Sequence, residues 1–146
     1  MKNILCAIDF SDNSDAVIQN AKQMAKAFSA KLWILHVAAP EPDFVGFAVG
    51  PQNERDWRAM VLKKEHRIIQ KYALQAEEED ISVSPLLVEG QTVETILRKI
   101  DKFKIDVLII GTHGHGALYS MVIGSTSKAL ANKSPIPTLL VPAPKP

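Results

Sequence analysis

Apolar residues in this chain follow two rhythms: short unbroken runs, and longer stretches in which they recur every three or four positions. Ile4-Leu5-Cys6-Ala7-Ile8 is the first run. Its length and continuity predict a strand over residues 4–8 that is buried on both faces. Beyond Asp9-Phe10-Ser11-Asp12, the residues Val17, Ala21, Met24, Ala25 and Phe28 fall at i, i+4, i+7, i+8 and i+11, one helical stripe that closes near Ser29-Ala30. Ser11 or Asp12 is placed to cap that helix, and acidic residues suit its positive end. A second apolar run predicts a strand over 32–37. From Ala38 to about Pro51 the periodicity stops, with Pro40, Pro42, Gly46, Gly50 and Pro51 around Phe44, Val45 and Phe47. A loop of this length in a compact domain is a lid, an interaction segment or a loose insertion.

Helical rhythm returns over 52–79, where Trp57, Met60, Val61, Ile68, Tyr72, Ala73 and Ala76 share one broad face and charged residues, His66 among them, fill the rest. A strand over 83–88 contains Pro85, which removes a ladder donor and predicts an edge position. Val93, Ile96, Leu97, Ile100 and Phe103 form the apolar face of a third helix, entered through Gly90-Gln91-Thr92. A β-branched run over 106–110 predicts a buried strand, followed by the glycine-rich stretch Gly111-Thr112-His113-Gly114-His115-Gly116. Gly124-Ser125-Thr126-Ser127 then offers a turn and capping hydroxyls for a short helix over 127–132. Thr138-Leu139-Leu140-Val141, bracketed by prolines, predicts a last strand, also at an edge. Nine alternating elements, β-α-β-α-β-α-β-α-β, specify an α/β fold: a doubly wound parallel sheet with helices on both faces. Ligands of such sheets bind outside the strand C-termini. Asp9, His36-Val37 and Gly111 onwards all fall at those ends and can meet in one crevice. A strand, a glycine loop and a helix N-terminus in sequence also make an anion site, because unpaired backbone N–H groups converge there.

Composition changes this picture little. The chain has 146 residues, enough for a single domain over 1–146, and its formal net charge of +1 argues against nucleic acid as a partner. The acidic run Glu77-Glu78-Glu79-Asp80 is expected at a solvated helix end. Cys6 is the lone cysteine and sits inside the first strand, so an inert, packed thiol is expected. The N-terminal apolar run is too short for a signal peptide and ends at Asp9. No stretch approaches the ~20 apolar residues of a membrane helix, so no membrane is expected and the cytoplasm is the simplest location.

The chemistry narrows by exclusion. No G-x-x-x-x-G-K-[ST] is present, Gly114-His115-Gly116 does not continue into G-x-G-x-x-G, and no G-x-S-x-G elbow occurs. What remains is Gly111-x2-Gly114-x9-Gly124-Ser125 after a buried strand, with Asp9 at the end of the first strand. With the opening Ile4-Leu5-Cys6-Ala7-Ile8-Asp9, the strand end His36-Val37 and the closing 134–142 segment, this resembles the universal stress protein family from end to end. The resemblance implies a five-stranded three-layer fold of order 3-2-1-4-5, like that of the adenine nucleotide alpha-hydrolases, and ATP binding. By position it implies that Ala7, Ile8 and Asp9 border the nucleoside, with Asp9 near the ribose or a magnesium or manganese ion. Val37 would offer backbone groups to adenine. Gly111, His113 and Gly114 would line ribose and phosphates, and Gly124, Ser125, Thr126 and Ser127 would hold the phosphates. Glycines admit close backbone approach, and hydroxyls with N–H groups supply donors without a lysine. Lys128 either faces solvent or reaches toward phosphate.

His113 and His115, even with His36, lack the helical i, i+4 spacing and close partners of a dedicated metal site. A nucleotidyltransferase motif would need a further spacer between its histidines and a place after the first strand. With no nucleophile–base pair at recognisable spacing, catalysis is expected to be absent, or limited to slow ATP hydrolysis. The expected function is a nucleotide-responsive regulator of the stress response. The alternatives are a dimeric interaction module that binds no nucleotide and an enzyme acting slowly on adenine nucleotides. An apolar edge strand is an association hazard unless covered. Pairing of 138–141 with its copy in a homodimer covers it, as the resemblance also implies, so a charge at Leu140 is expected to break the dimer.

Overall fold

A computed structural model describes residues 1–40, 52–113 and 123–144. Its elements run β1 (Asn3–Ala7), α1 (Ser14–Phe28), β2 (Lys31–Ala38), α2 (Gln52–Glu77), β3 (Val83–Glu89), α3 (Thr92–Lys102), β4 (Val107–Gly111), α4 (Ser125–Lys133) and β5 (Thr138–Val141). The five strands form one parallel sheet of order β3-β2-β1-β4-β5. The alternation of elements and both edge assignments therefore hold. Pro85 lies in β3, paired on one side only, where its missing N–H breaks no ladder.

Side-chain alternation along the strands divides the core between the two faces of the sheet. Ile4 and Cys6 of β1, Leu32 and Ile34 of β2 and Val107 and Ile109 of β4 pack against α1 and α2. Leu5, Leu35, Leu108 and Ile110 face the other way, toward α3 and α4. Cys6 is fully buried, and desolvation pushes its thiol up to about 12, so it stays protonated and inert.

Several local expectations are corrected. Asn13, not Ser11 or Asp12, is the N-cap residue of α1, and its side chain makes no capping bond. Phe28, placed on the buried stripe, is half-exposed at the last turn, while Ile18 is buried instead. The last helix begins at Ser125, two residues before the expected start, with Gly124 as its N-cap. The acidic run is not purely solvated. Glu79 bridges Lys22, which is buried on α1, and Lys26, 2.5 Å away, fastening the turn after α2 to α1. These bonds, first to Lys22 and then to Lys26, hold the Glu79 carboxyl below its ordinary range.

The largest correction concerns α2. Only Ile69, Ala73 and Ala76 of this helix are buried, all in its C-terminal half; Ile69, not named among the expected apolar positions, sits one turn before Ala73 on the same face. Trp57 and Met60, at the N-terminal end of the expected apolar face, are 64% and 55% exposed. Length explains the difference. A helix of 26 residues extends about 39 Å, whereas the eight residues of β2 extend about 26 Å. The helix overruns the sheet.

Candidate functional site

β1 stops at Ala7 while β2 continues to Ala38, and β4, on the other side of β1, turns away at Gly111. The strand order reverses across β1, and a cleft of about 1060 Å³ opens there at the C-terminal edge of the sheet. Ala7, Ile8, Asp9, Val37, Gly111, His113, Gly124, Ser125, Thr126 and Ser127 all line it. Ten positions drawn from the C-terminal ends of β1, β2 and β4 and from the start of α4 thus meet in one place. Gly114 and His115 lie outside the described residues.

The two ends of the glycine loop are closed by hydrogen bonds. Gly124 N donates to Thr112 O at 2.8 Å, and Ser127 Oγ donates to Gly111 O at 2.7 Å. Ser127 therefore spends its hydroxyl proton inside the protein, and its contribution to a ligand is its backbone N–H. α4 has no side-chain cap, and its first helical bond is Lys128 N to Gly124 O at 2.9 Å. The N–H groups of Ser125, Thr126 and Ser127 precede that bond, at the positive end of the helix dipole. Ser125 and Thr126 are exposed toward the cleft, while Lys128 is exposed but does not line it.

At the other end of the cleft, backbone parity sets the chemistry. Leu35 O accepts from Ile8 N at 2.9 Å, so it points toward β1. Ala38 O accepts from Gly90 N at 3.0 Å, so it points toward β3. Groups alternate along a strand, which turns the N–H and C=O of Val37 toward the β1 side, past the last residue of β1. A donor and an acceptor side by side match the edge of a base.

The floor is polar and held from below. Asp9 Oδ1 accepts from Ser11 N at 3.0 Å, shaping the turn that leads into α1. His36, 7% exposed, binds Ile8 O through Nδ1 at 2.8 Å. A carbonyl can only accept, so that nitrogen carries hydrogen. Its Nε2 lies 3.6 Å from Glu65 Oε1, and its ring packs at a tilt of 32° against Phe10 with centroids 4.1 Å apart. His36 is thus a structural tie between the ends of β1 and β2. Among the described residues no group of three or more His, Cys, Asp or Glu is placed to hold a metal ion.

Residues 11–14 contribute more to the cleft than their sequence pattern indicates. They suggested only a helix cap, yet Ser11, Asn13 and Ser14 line the cleft. Ser11 Oγ, Asn13 Oδ1 and Ser14 Oγ are buried without a hydrogen-bond partner, and Asn13 and Ser14 are only 4% and 3% exposed. Buried polar atoms are nearly always paired, so three such atoms on one cleft wall fit a polar ligand. The hint was present in the sequence: three small polar side chains just after a strand C-terminus. Trp57, Met60, Val61, Lys64, Glu65 and Ile68 of α2 line the cleft as well.

Among known proteins, the universal stress protein family matches residues 1–142. The "Universal stress protein in QAH/OAS sulfhydrylase 3'region" of Thermus aquaticus is 32% identical over 140 residues, covering 96% of this chain and 98% of that protein. Universal stress protein MJ0531 of Methanocaldococcus jannaschii is 29% identical over 99% of this chain and 84% of its own length. In three dimensions the chain superposes on hypothetical protein MJ0577 with a TM-score of 0.81 at 20% identity, covering 99% and 98% of the two chains. It also superposes on a universal stress protein in complex with cAMP, with a TM-score of 0.72 at 21% identity and 98% coverage of both chains. A universal stress protein from Archaeoglobus fulgidus in complex with dAMP gives a TM-score of 0.68 at 14% identity, covering 97% and 98%. On sequence match and fold together, this chain belongs to the universal stress protein family.

Proposed function

We propose that this chain binds ATP across the cleft and serves as a nucleotide-responsive regulator of the stress response, not as a metabolic enzyme. The observation that carries this reading is that one crevice holds an uncapped helix N-terminus at one end and a base-edge donor–acceptor pair at the other. Phosphates would lie on the N–H groups of Ser125–Ser127, adenine on the backbone of Val37, and the ribose between them near Asp9. The unpartnered oxygens of Ser11, Asn13 and Ser14 supply polar contacts in between. Structures of similar fold that hold cAMP and dAMP support an adenine nucleotide as the ligand class. Magnesium or manganese would enter with the phosphates and take Asp9 as a hard oxygen ligand. The reading also includes a cytoplasmic setting and a homodimer formed through β5.

Little in the cleft suggests turnover. His36 is committed to Ile8 O, and Ser127 to Gly111 O. Slow hydrolysis is therefore the upper bound of the reading. Calorimetric titration with ATP, ADP, AMP and cyclic AMP in the presence of magnesium tests it, once the purified protein has been checked for nucleotide carried through purification. Saturable binding, strongest for ATP, is expected. Failure of all four to bind at millimolar concentration sinks the reading.

A further inference from the structure

The overhang of α2 has a consequence for the cleft. In a right-handed β2-α2-β3 crossover the helix runs antiparallel to the strands, and the C-terminal half of α2 packs on the sheet. The excess length therefore projects beyond the C-terminal edge, over the crevice. Trp57, Met60, Val61, Lys64 and Ile68, at i, i+3, i+4, i+7 and i+11, line it as a single helical face. Arg58 fixes the projecting turn in place. Its guanidinium donates to Ala39 O and lies 3.6 Å from Glu89 Oε1, tying α2 to the ends of both β2 and β3. The same tie sets this face beside the backbone of Val37.

Among the aromatic rings of the cleft, Phe10 is already packed against the His36 ring. Trp33 belongs to the other face of the sheet, where it stacks on Phe103 with centroids 4.1 Å apart. Trp57 is left with its indole largely exposed at the rim of the cleft. We propose that Trp57 is the base-stacking residue of this site, closing over the nucleobase held by Val37 and making the site prefer purine over pyrimidine nucleotides. This rests on the nucleotide-binding reading above and adds to it a residue and a selectivity. A two-ring purine overlaps an indole face more fully than a one-ring pyrimidine, and overlap is what stacking rewards. The apolar neighbours Met60 and Val61 keep water from the edge of the stack.

The two tryptophans make the test direct. Wild type, Trp57→Phe and Trp57→Ala are titrated with ATP and with CTP, by calorimetry and by tryptophan fluorescence. Because Trp57 is exposed, both variants keep the fold, as circular dichroism verifies. ATP is expected to change the fluorescence of the wild type and to leave Trp57→Phe, which retains only Trp33, silent. Trp57→Phe should bind ATP within about threefold of wild type, since a ring is preserved. Trp57→Ala should bind ATP roughly five- to 150-fold more weakly, the range of base–aromatic stacking, with a smaller loss for CTP. A Trp57→Ala protein that binds ATP as tightly as wild type, or loses ATP and CTP equally, overturns the proposal while the nucleotide reading stands. Absence of ATP binding by the wild type overturns both.

Discussion

A Cβ built on Gly111 would drive into the carboxamide of Asn13 and come within 3.2 Å of His113 O, whereas one on Gly124 would meet Thr112 O at 3.4 Å, an ordinary contact. Gly124 also has an unremarkable backbone, φ −60° and ψ 155°, which any residue can adopt. The two glycines of one motif therefore have different physical reasons. Gly111 is small because the protein itself fills the space. Gly124 is small without such a need inside the protein, and on the proposed nucleotide reading an approaching phosphate would supply one. Gly111→Ala is thus expected to cost about 1–3 kcal/mol, as overpacking does, visible as a lower thermal midpoint. Gly124→Ala should keep the fold, losing no more than about 1 kcal/mol at the helix cap, yet weaken ATP at least about tenfold in calorimetry. A Gly124→Ala protein that melts early and binds normally would reverse the assignment. The motif was legible in the sequence because its spacing is local. Asn13 was not, because its carboxamide reaches Val141 O at 3.2 Å from 128 positions away, and no periodicity signals such a contact.

At the scale of elements, periodicity located all nine segments but could not say where the sheet ends beneath a helix. The stripe on α2 is one pattern serving two purposes, core packing toward the C-terminus and cleft wall toward the N-terminus. Truncations along it should separate the two. Ile69→Ala is expected to cost about 2–5 kcal/mol, and Met60→Ala no more than about 0.5 kcal/mol, both read from urea unfolding. Equal costs would mean that α2 is buried along its whole length. The ion cluster between α1 and the end of α2 was also hidden, since a charge run gives no sign of its partners. Glu79 has a folded-state pKa below its ordinary 4.5, so the stabilisation it provides is complete above that value. It is lost as pH falls through the depressed value. Glu79→Gln, which also leaves the buried Lys22 without its counter-charge, should therefore lower the thermal midpoint at neutral pH. The gap to wild type should narrow as the solution is acidified below about pH 4.5. A gap independent of pH would assign the loss to shape instead of charge.

For the molecule as a whole, strand–helix alternation specified a parallel doubly wound sheet, while the order in which the strands lie came from family resemblance and not from any physical rule read along the chain. The remaining question at this scale is how the two edges are kept from unwanted pairing. β3 carries Pro85 in its interior, and β5 is protected differently. Pro137 O accepts from Leu108 N, and Val141 O from Thr112 N, so odd-numbered groups of β5 face β4. Thr138 and Leu140 then turn their N–H and C=O outward, and Pro142, next in that register, has no N–H to offer. The open ladder is short and suits a single copy of itself, paired antiparallel about a two-fold axis. The side chains place the mutation. Leu140 packs, half-buried, against the α3–α4 side of the core, so a charge there would injure its own subunit. Leu139 is 38% exposed on the opposite face. Leu139→Lys is therefore the discriminating change, since its long stem can lift the charge into water in a monomer but not against a second copy of β5. By light scattering the wild type should run at twice the chain mass of 16.1 kDa and Leu139→Lys at the mass of one chain, with nucleotide affinity retained because Leu139 does not line the cleft. A wild type that is monomeric at the same concentration, or a Leu139→Lys protein that stays dimeric, would remove β5 from the assembly.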